Sequence, residues 1–381
     1  MTGRVILESN PVATTAPMQV KPNYDVENWR HRIAATIGFD TASCKLRGAQ
    51  SFLEGLFSSI LGNKLTRYSA DGGQVVWEGY VNAVTLNLPG VSYSLSLDQM
   101  FNRVRVRYTV IDATTTPPSV TGATTRTATA SDTPSQSRYG IKDMILSAGE
   151  TSATIAEQIR AVALAQYKQP RRSAIIRGGN DVSLDMACLG YGHTLDWQVY
   201  NYTGATGTQN ANLQIADILT AAGQFIAATQ LTTNATPVPK YRDFDQTALE
   251  QIQAIAEQGD SSGNRWLVSV LEDRRLYYQA ASATIAYWRR VSDERQAIRN
   301  VFGGGEAPYE LVRPDRWLRL TDVGIGKTGG YDPAVYADDF QLIYIESVEW
   351  AEPDSLTLVG SVGDNLQTSI ARQAQIGARV L

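Results

Sequence analysis

Few residues in this 381-residue chain have the types and spacings that do chemistry. Gly326-Lys327-Thr328 has the ending of a phosphate-binding loop. Such a loop needs another glycine five residues before Gly326, and a helix starting at Lys327 to offer its amides to the anion. Thr321 stands at the first place and Gly329-Gly330-Tyr331-Asp332-Pro333 fills the second, so the segment reads as a glycine-rich hairpin tip. Gly303-Gly304-Gly305 precedes no helix and reads as a flexible joint. Arg103, Arg105 and Arg107 share one strand face, with Val104 and Val106 on the other, because side chains alternate along a strand. Such a stripe can hold nucleic acid, lie solvated or meet another subunit. The chain has 34 Lys plus Arg against 38 Asp plus Glu. Without a basic surplus, the solvated or subunit-facing reading is the expectation.

Acidic neighbours occur at Asp243 with Asp245, Glu272 with Asp273, Asp338 with Asp339 and Glu349 with Glu352. A glycosidase needs two carboxylates facing each other across a cleft, which sequence spacing does not supply. These pairs read as surface residues. His31 lies in Trp29-Arg30-His31-Arg32 and His193 in Gly190-Tyr191-Gly192-His193. Neither has a Ser or Cys in a nucleophile elbow nearby, so both read as structural. Cys44 and Cys188 cannot join the two histidines in a zinc motif, which needs short spacings. They read as buried thiols of a chain made in a reducing cytoplasm. The expectation is no catalytic, cofactor-binding or metal-ligating residue and no cofactor.

Composition fits a globular protein, with 43% hydrophobic and 19% charged residues. The N-terminus lacks the pattern of a secretory signal, and no apolar run is long enough for a membrane span. The 31 glycines, 18 tyrosines, 7 tryptophans and many alternating segments point to a β-rich α+β protein. Capping boxes at Ser51 with Glu54, Thr154 with Glu157, and Thr247 with Glu250 predict helix starts. Ile155, Ile159 and Val162 would line one face of the second of these helices. Gly62 would end the first. Asp71-Gly72-Gly73 and Glu272-Asp273-Arg274 predict hairpin turns. Thr194 to Tyr200 alternates like a strand. The Thr/Ser/Pro-rich tract 111–137 has no apolar period and predicts an exposed loop or long hairpin, cut by protease near Arg126.

One echo links the two ends of the chain. A strand at Val75–Val84, a turn at Pro89-Gly90 and a strand at Tyr93–Leu97 match Ile343–Trp350, Pro353-Asp354 and Leu356–Leu358. The echo is compatible with two similar β-barrels.

The order of these pieces resembles phage tail-tip and baseplate hub proteins. The resemblance lies in Trp77-Glu78-Gly79, Tyr93-Ser94-Leu95-Ser96-Leu97 and Asn102-Arg103-Val104-Arg105-Val106-Arg107-Tyr108. It continues through Asp132 to Gly140, the helix from Thr154 to Pro170, and Thr247 to Tyr278. It implies two tube-type β-barrel domains with helical and α/β insertions, and a homotrimer forming a pseudo-hexameric ring. Such a ring continues the tail-tube channel, with DNA only passing through. It meets distal tail or tail-tube proteins, the tape-measure protein, and fibre or spike proteins in the virion tail.

The expected division is a first barrel with one helix at 1–110, then a loop or hairpin plus helix at 111–172. A second barrel takes 173–205 and 300–365, with an inserted α/β domain at 206–299 and a C-terminal helix or tail at 366–381. Two other functions stay open: a virion-associated cell-wall or glycan hydrolase, and a carbohydrate-binding or adhesion protein using the Tyr and Trp rings as sugar platforms.

Overall fold

The structure is a computed structural model. It describes residues 4–11, 26–112, 119–176, 178–201, 207–240, 245–290, 297–301, 305–321, 340–352 and 355–362. Gly326-Lys327-Thr328, Gly303, Gly304, Asp243, Asp338, Asp339, Pro353, Asp354 and the segment 366–381 lie outside the described residues.

The chain opens with strands β1 (Val5–Glu8), β2 (Val26–Ala34) and β3 (Gly38–Arg47), then helix α1 (Gln50–Ser59). Strands β4 (Lys64–Tyr68), β5 (Val75–Leu88), β6 (Val91–Ser96) and β7 (Arg103–Asp112) follow. Next come β8 (Ser119–Arg126), β9 (Ala130–Ser131), α2 (Thr133–Tyr139), β10 (Asp143–Thr151) and α3 (Ala153–Tyr167). β11 (Arg171–Ile176) and β12 (Ser183–Gly190) lead to a 3-10 helix at Tyr191–Trp197. Then follow β13 (Thr208–Asn210), α4 (Ala211–Ala222), β14 (Ala228–Leu231), β15 (Pro237–Pro239) and α5 (Ala248–Glu257). The rest is β: β16 (Trp266–Leu271), β17 (Arg275–Ala280), β18 (Ile285–Arg290), β19 (Arg299–Asn300), β20 (Trp317–Thr321), β21 (Phe340–Ala351) and β22 (Ser355–Val362).

This is a β-rich α+β fold, and most of its strands join one large sheet curled into a half-barrel. Through that sheet runs an unbroken antiparallel path: β22-β21-β2-β3-β12-β5-β6-β11. The path repeats itself. β21 has β22 along one edge; on the other, residues 347–351 pair with β2 and residues 340–344 with β20. β5 has β12 along one edge; on the other, residues 83–88 pair with β6 and residues 75–80 with β4. So β21 and β5 take matching places four strands apart. The sequence echo aligned these two long strands. Their hairpin partners differ: β6 stands on the edge where β2 stands beside β21, whereas β22 takes the place of β12. A hairpin can fold back to either edge, and nothing within its own residues selects which.

Along β3, Ala42, Cys44 and Leu46 are buried while Thr41 and Ser43 are exposed, so one sheet face carries the core. α1 covers part of that face, burying Leu53, Leu56 and Phe57 against β5 and β12. The 3-10 helix packs with α5, and both belong to the same core. A second sheet, ordered β10-β7-β8 with β9 on β7, carries α3 on one face. The close β12–β3 approach depends on Gly190, where a Cβ would sit 1.7 Å from the Phe39 carbonyl oxygen.

Several local expectations need correction. α1 starts at Gln50 after Ala49 with no side-chain cap; Gln50 Nε2 instead donates to Glu54 Oε1 one turn on (2.8 Å). α3 is capped by Ser152, whose Oγ accepts from Ile155 N–H (3.4 Å), two residues before the expected cap. Its buried residues are Ala156 and Ala163, with Ala156 packed among Val106 and Tyr108, while Ile155, Ile159 and Val162 are exposed. Small residues let the helix lie close to the sheet, and that leaves the branched ones outside. The alternating run from Thr194 enters a 3-10 helix, with Val199 making only an isolated bridge to Thr247. The capping box at Thr247 with Glu250 is present in both directions. Both predicted turns are present, and Gly62 adopts φ +79° just past α1.

The 111–137 tract makes the long hairpin as far as β8. Its last part is then drawn inward. Thr127 Oγ1 accepts from Val106 N–H (3.0 Å), and Ser135 and Tyr139 of α2 are buried. Helix α2 begins within this tract, capped by Asp132 with Pro134 in its first turn, a usual helix-start signal.

Candidate functional site

Two arginines of the stripe are paired within the chain. Val104 and Val106 are buried. Arg103 grips Asp143 through Nε and Nη2. Arg107 Nη1 donates to Asp245 Oδ2 (2.9 Å), and Arg126 Nη2 approaches Asp245 Oδ1 (2.8 Å). Two of the three stripe arginines therefore spend their charge on carboxylates of the same chain. Arg126 is thus tied down, not presented on a loop.

The remaining candidates separate in space. Glu349 lines a depression of about 290 Å³ beside Arg30 and Arg32, whereas Glu352 is turned to a buried arginine. That pair does not face across one cleft. Glu272 and Asp273 lie in the β16–β17 turn, with Asp273 at φ +58°. His193 Nε2 meets Asp40 Oδ1 (2.7 Å), and Asp40 in turn meets Arg32 (3.3 Å). His31 is buried, and its Nδ1 accepts the indole N–H of Trp29 (3.0 Å). Burial, then the charges of Arg313 and Arg67, hold His31 well below the usual imidazole range, so it stays neutral. Burial pushes the Cys44 thiol up to about 12. Among the described residues no cluster of three or more His, Cys, Asp or Glu is placed to hold a metal. Five of the seven tryptophans (Trp29, Trp77, Trp197, Trp266 and Trp350) are buried and unavailable as sugar platforms.

Sequence reading missed the group that ties β2, β4 and the end of β21 together. Arg67 on β4 is only 2% exposed. Its guanidinium sits between the rings of Trp29 and Trp350, with Cζ 5.1 and 4.7 Å from their centroids. Nη2 donates to Glu352 Oε1 (2.9 Å). Glu352 also accepts the Trp29 backbone N–H at Oε2 (3.3 Å), while its own N–H donates to the Trp29 carbonyl (2.9 Å). β2, β4 and the end of β21 are thereby tied through one cation. Beside it, Arg313 donates from Nη2 to the Val75 carbonyl at the start of β5 (2.6 Å). A lone buried cation is costly unless paired, so this joint holds only when its parts are all in place. The Trp-Arg-Glu set is scattered from residue 29 to residue 352, which is why no local signal marks it.

The eight-strand path ends in β11 and β22, which with β1, β14 and β19 are edge strands of the large sheet. Among the described residues β11 pairs only with β6, and β22 only with β21. All six residues of β11 are exposed, and Ile176 reaches 92%. β22 is eight residues long without one charge, and its Val359 is 56% exposed. Edge strands are usually blunted by charge, proline or brevity, because their free N–H and C=O groups seek another strand. β22 carries no charge or proline, whereas β11 follows Pro170 and opens with the exposed Arg171 and Arg172, leaving its second half apolar.

The chain is similar to phage tail proteins. A 43 kDa tail protein of prophage MuSo2 from Shewanella oneidensis superposes with a TM-score of 0.43 at 9% identity, over 95% of this chain and 97% of that one. A tail protein from Neisseria meningitidis MC58 gives 0.45 at 8%, over 95% and 97%. Prophage tail protein gp18 from Listeria monocytogenes EGD-e gives 0.40 at 7%, over 98% and 98%. No family model matches the chain, and no curated protein matches it.

Proposed function

We propose that this chain is a structural subunit of a phage tail tip or baseplate hub, in which the eight-strand path runs on from one copy to the next. The observation that carries this is the pair of open edges ending a path that repeats after four strands. The repeat supplies a template for the joint. Inside the chain, the first four strands meet the second four where β3 pairs antiparallel with β12. By the repeat, β11 stands where β3 stands and β22 where β12 stands. β22 of one copy therefore fits β11 of the next in the same sense. A head-to-tail contact of this kind closes into a ring when the rotation allows. The count of three copies, giving six similar four-stranded units, comes from the resemblance to hub proteins, as do the tail-tube, tape-measure and fibre or spike partners. So do the passage of DNA through the ring and the virion-tail location. The role is mechanical and not enzymatic. The separation of Glu349 from Glu352, and the buried tryptophans, leave the hydrolase and adhesion readings less support.

The test uses the full chain. Light scattering at high concentration should give about three times the 41.6 kDa chain mass. Ser173→Pro and Ala174→Pro, made separately, probe the edge. Successive residues of a strand point their N–H groups to opposite edges, so one of the two removes only an outward donor. That variant should stay folded and lose the ring. A chain that is monomeric at every concentration, with no ring in assembled tails, refutes the proposal. Clearing of bacterial cell wall in a zymogram would favour the hydrolase.

A further inference from the structure

The depression of about 290 Å³ beside Glu349 lies on the sheet face opposite the core. Its walls include Arg30 and Arg32 of β2, Thr41 and Ser43 of β3, Ala187 of β12 and Glu349 of β21. Strand register explains the hollow. Arg30, Ser43 and Ala187 stand directly opposite one another across three strands, so one long side chain rises beside two short ones. Neither guanidinium is fully used within the chain. Arg30 Nε is 3.8 Å from Glu349 Oε1. Arg32 Nη1 is 3.3 Å from Asp40 Oδ2, and the other oxygen of Asp40 is held by His193. Among the described residues neither guanidinium makes a hydrogen bond, and the two side chains are 64% and 49% exposed. Exposed ion pairs of this kind contribute little, so a better-placed acceptor from outside meets little competition.

We propose that this depression binds an extended acidic segment of another protein, one with carboxylates at alternate positions. Charge complementarity is the first argument. Two arginines line the hollow against a single carboxylate, Glu349, and the His31 that lies beneath them is neutral. Geometry is the second. A guanidinium presents a planar fork of N–H donors that matches a carboxylate with two parallel hydrogen bonds. Arg30 and Arg32 are both exposed with buried His31 between them, so they rise from one face of β2 about 7 Å apart. Alternate side chains of an extended peptide have that same spacing and share a face. Thr41 and Ser43 bring hydroxyl donors to the same hollow. A nucleic acid fits less well. No Trp, Tyr or Phe lines the depression to stack a base, and the chain has no basic surplus, with 34 Lys plus Arg against 38 Asp plus Glu. The site is complete within one copy, so it does not depend on the ring.

The experiment uses the full chain and a short labelled peptide with glutamate at every second position, followed by fluorescence anisotropy at low salt. The peptide should bind, and its glutamine counterpart should not. Arg30→Gln/Arg32→Gln should weaken binding about a hundredfold, since each charge-assisted contact accounts for about a tenfold change. Both side chains are exposed, so this variant should keep the parent's urea midpoint. Glu349→Gln removes the resident competitor for Arg30 and should tighten binding about threefold, a gain that damage to the fold would not produce. Arg105→Gln, on the second sheet, should bind like the parent. No binding by the parent up to about 1 mM peptide overturns the proposal. So does equal binding of the glutamine peptide, or binding that survives loss of both arginines. An oligothymidylate that binds more tightly than the peptide, and loses that binding in Arg30→Gln/Arg32→Gln, also overturns it and assigns the depression to nucleic acid.

Discussion

Replacing Arg67 tests whether β2, β4 and the end of β21 are locked together through one buried cation. Arg67→Ala removes the guanidinium from between Trp29 and Trp350 and strips Glu352 of the charge it faces. Breaking a buried pair by deleting one partner costs about 3–5 kcal/mol, because the other charge is left uncompensated. Glu352 keeps two backbone links to Trp29, and its side chain is 17% exposed, which places the loss toward the lower end. Two cation–π contacts at a desolvated site contribute about 1–2 kcal/mol of their own. A total near about 4 kcal/mol corresponds to a fall in melting temperature of about 8 °C for a domain of several hundred residues. Urea unfolding at pH 7, followed by tryptophan fluorescence, measures this, because two of the reporting rings flank the site. The decisive form is a double-mutant cycle with Glu352→Gln. Residues in direct contact couple, so the double variant should be more stable than the two single losses added together. If Arg67→Ala changes stability by less than about 0.5 kcal/mol, or if the two losses simply add, the joint is not held by this cation.

Other outcomes follow from the same contacts. His31 is neutral in the folded chain, with its pKa depressed, so its contribution to stability is full above about pH 6.5, the ordinary value, and is lost as pH falls below it. Stability should therefore drop between pH 6.5 and 5 by up to about 1.4 kcal/mol per pH unit from this group, and His31→Gln should flatten that slope in urea melts. Gly190→Ala should destabilise by about 3 kcal/mol or more, since a methyl group cannot fit against the Phe39 carbonyl; a soluble variant with the parent's urea midpoint would contradict the packing of β12. Trypsin should leave the bond after Arg126 intact until the chain unfolds, because Arg126 pairs with Asp245 and Thr127 is buried; early cleavage there, read by mass spectrometry, would count against the hairpin's anchorage.

Local pattern was enough to establish several features. Alternation placed Val104 and Val106 inside, the capping box marked Thr247 as a helix start, and turn residues located both hairpin tips, because each of these depends on neighbours a few residues away. The echo between β5 and β21 was also legible, since long alternating strands leave a signature in their own residues. Three things only the tertiary structure decided. Which edge each hairpin partner takes depends on the strand already there. Which side of α3 faces the sheet is set by how closely the two can approach, and the alanines allow a closer approach than the branched residues do. The Arg67 joint brings together residues 285 positions apart in the chain, so its parts carry no common local signal. The open edges belong with these three. A strand is recognised by its own sequence, but whether an edge is free is a property of the whole sheet.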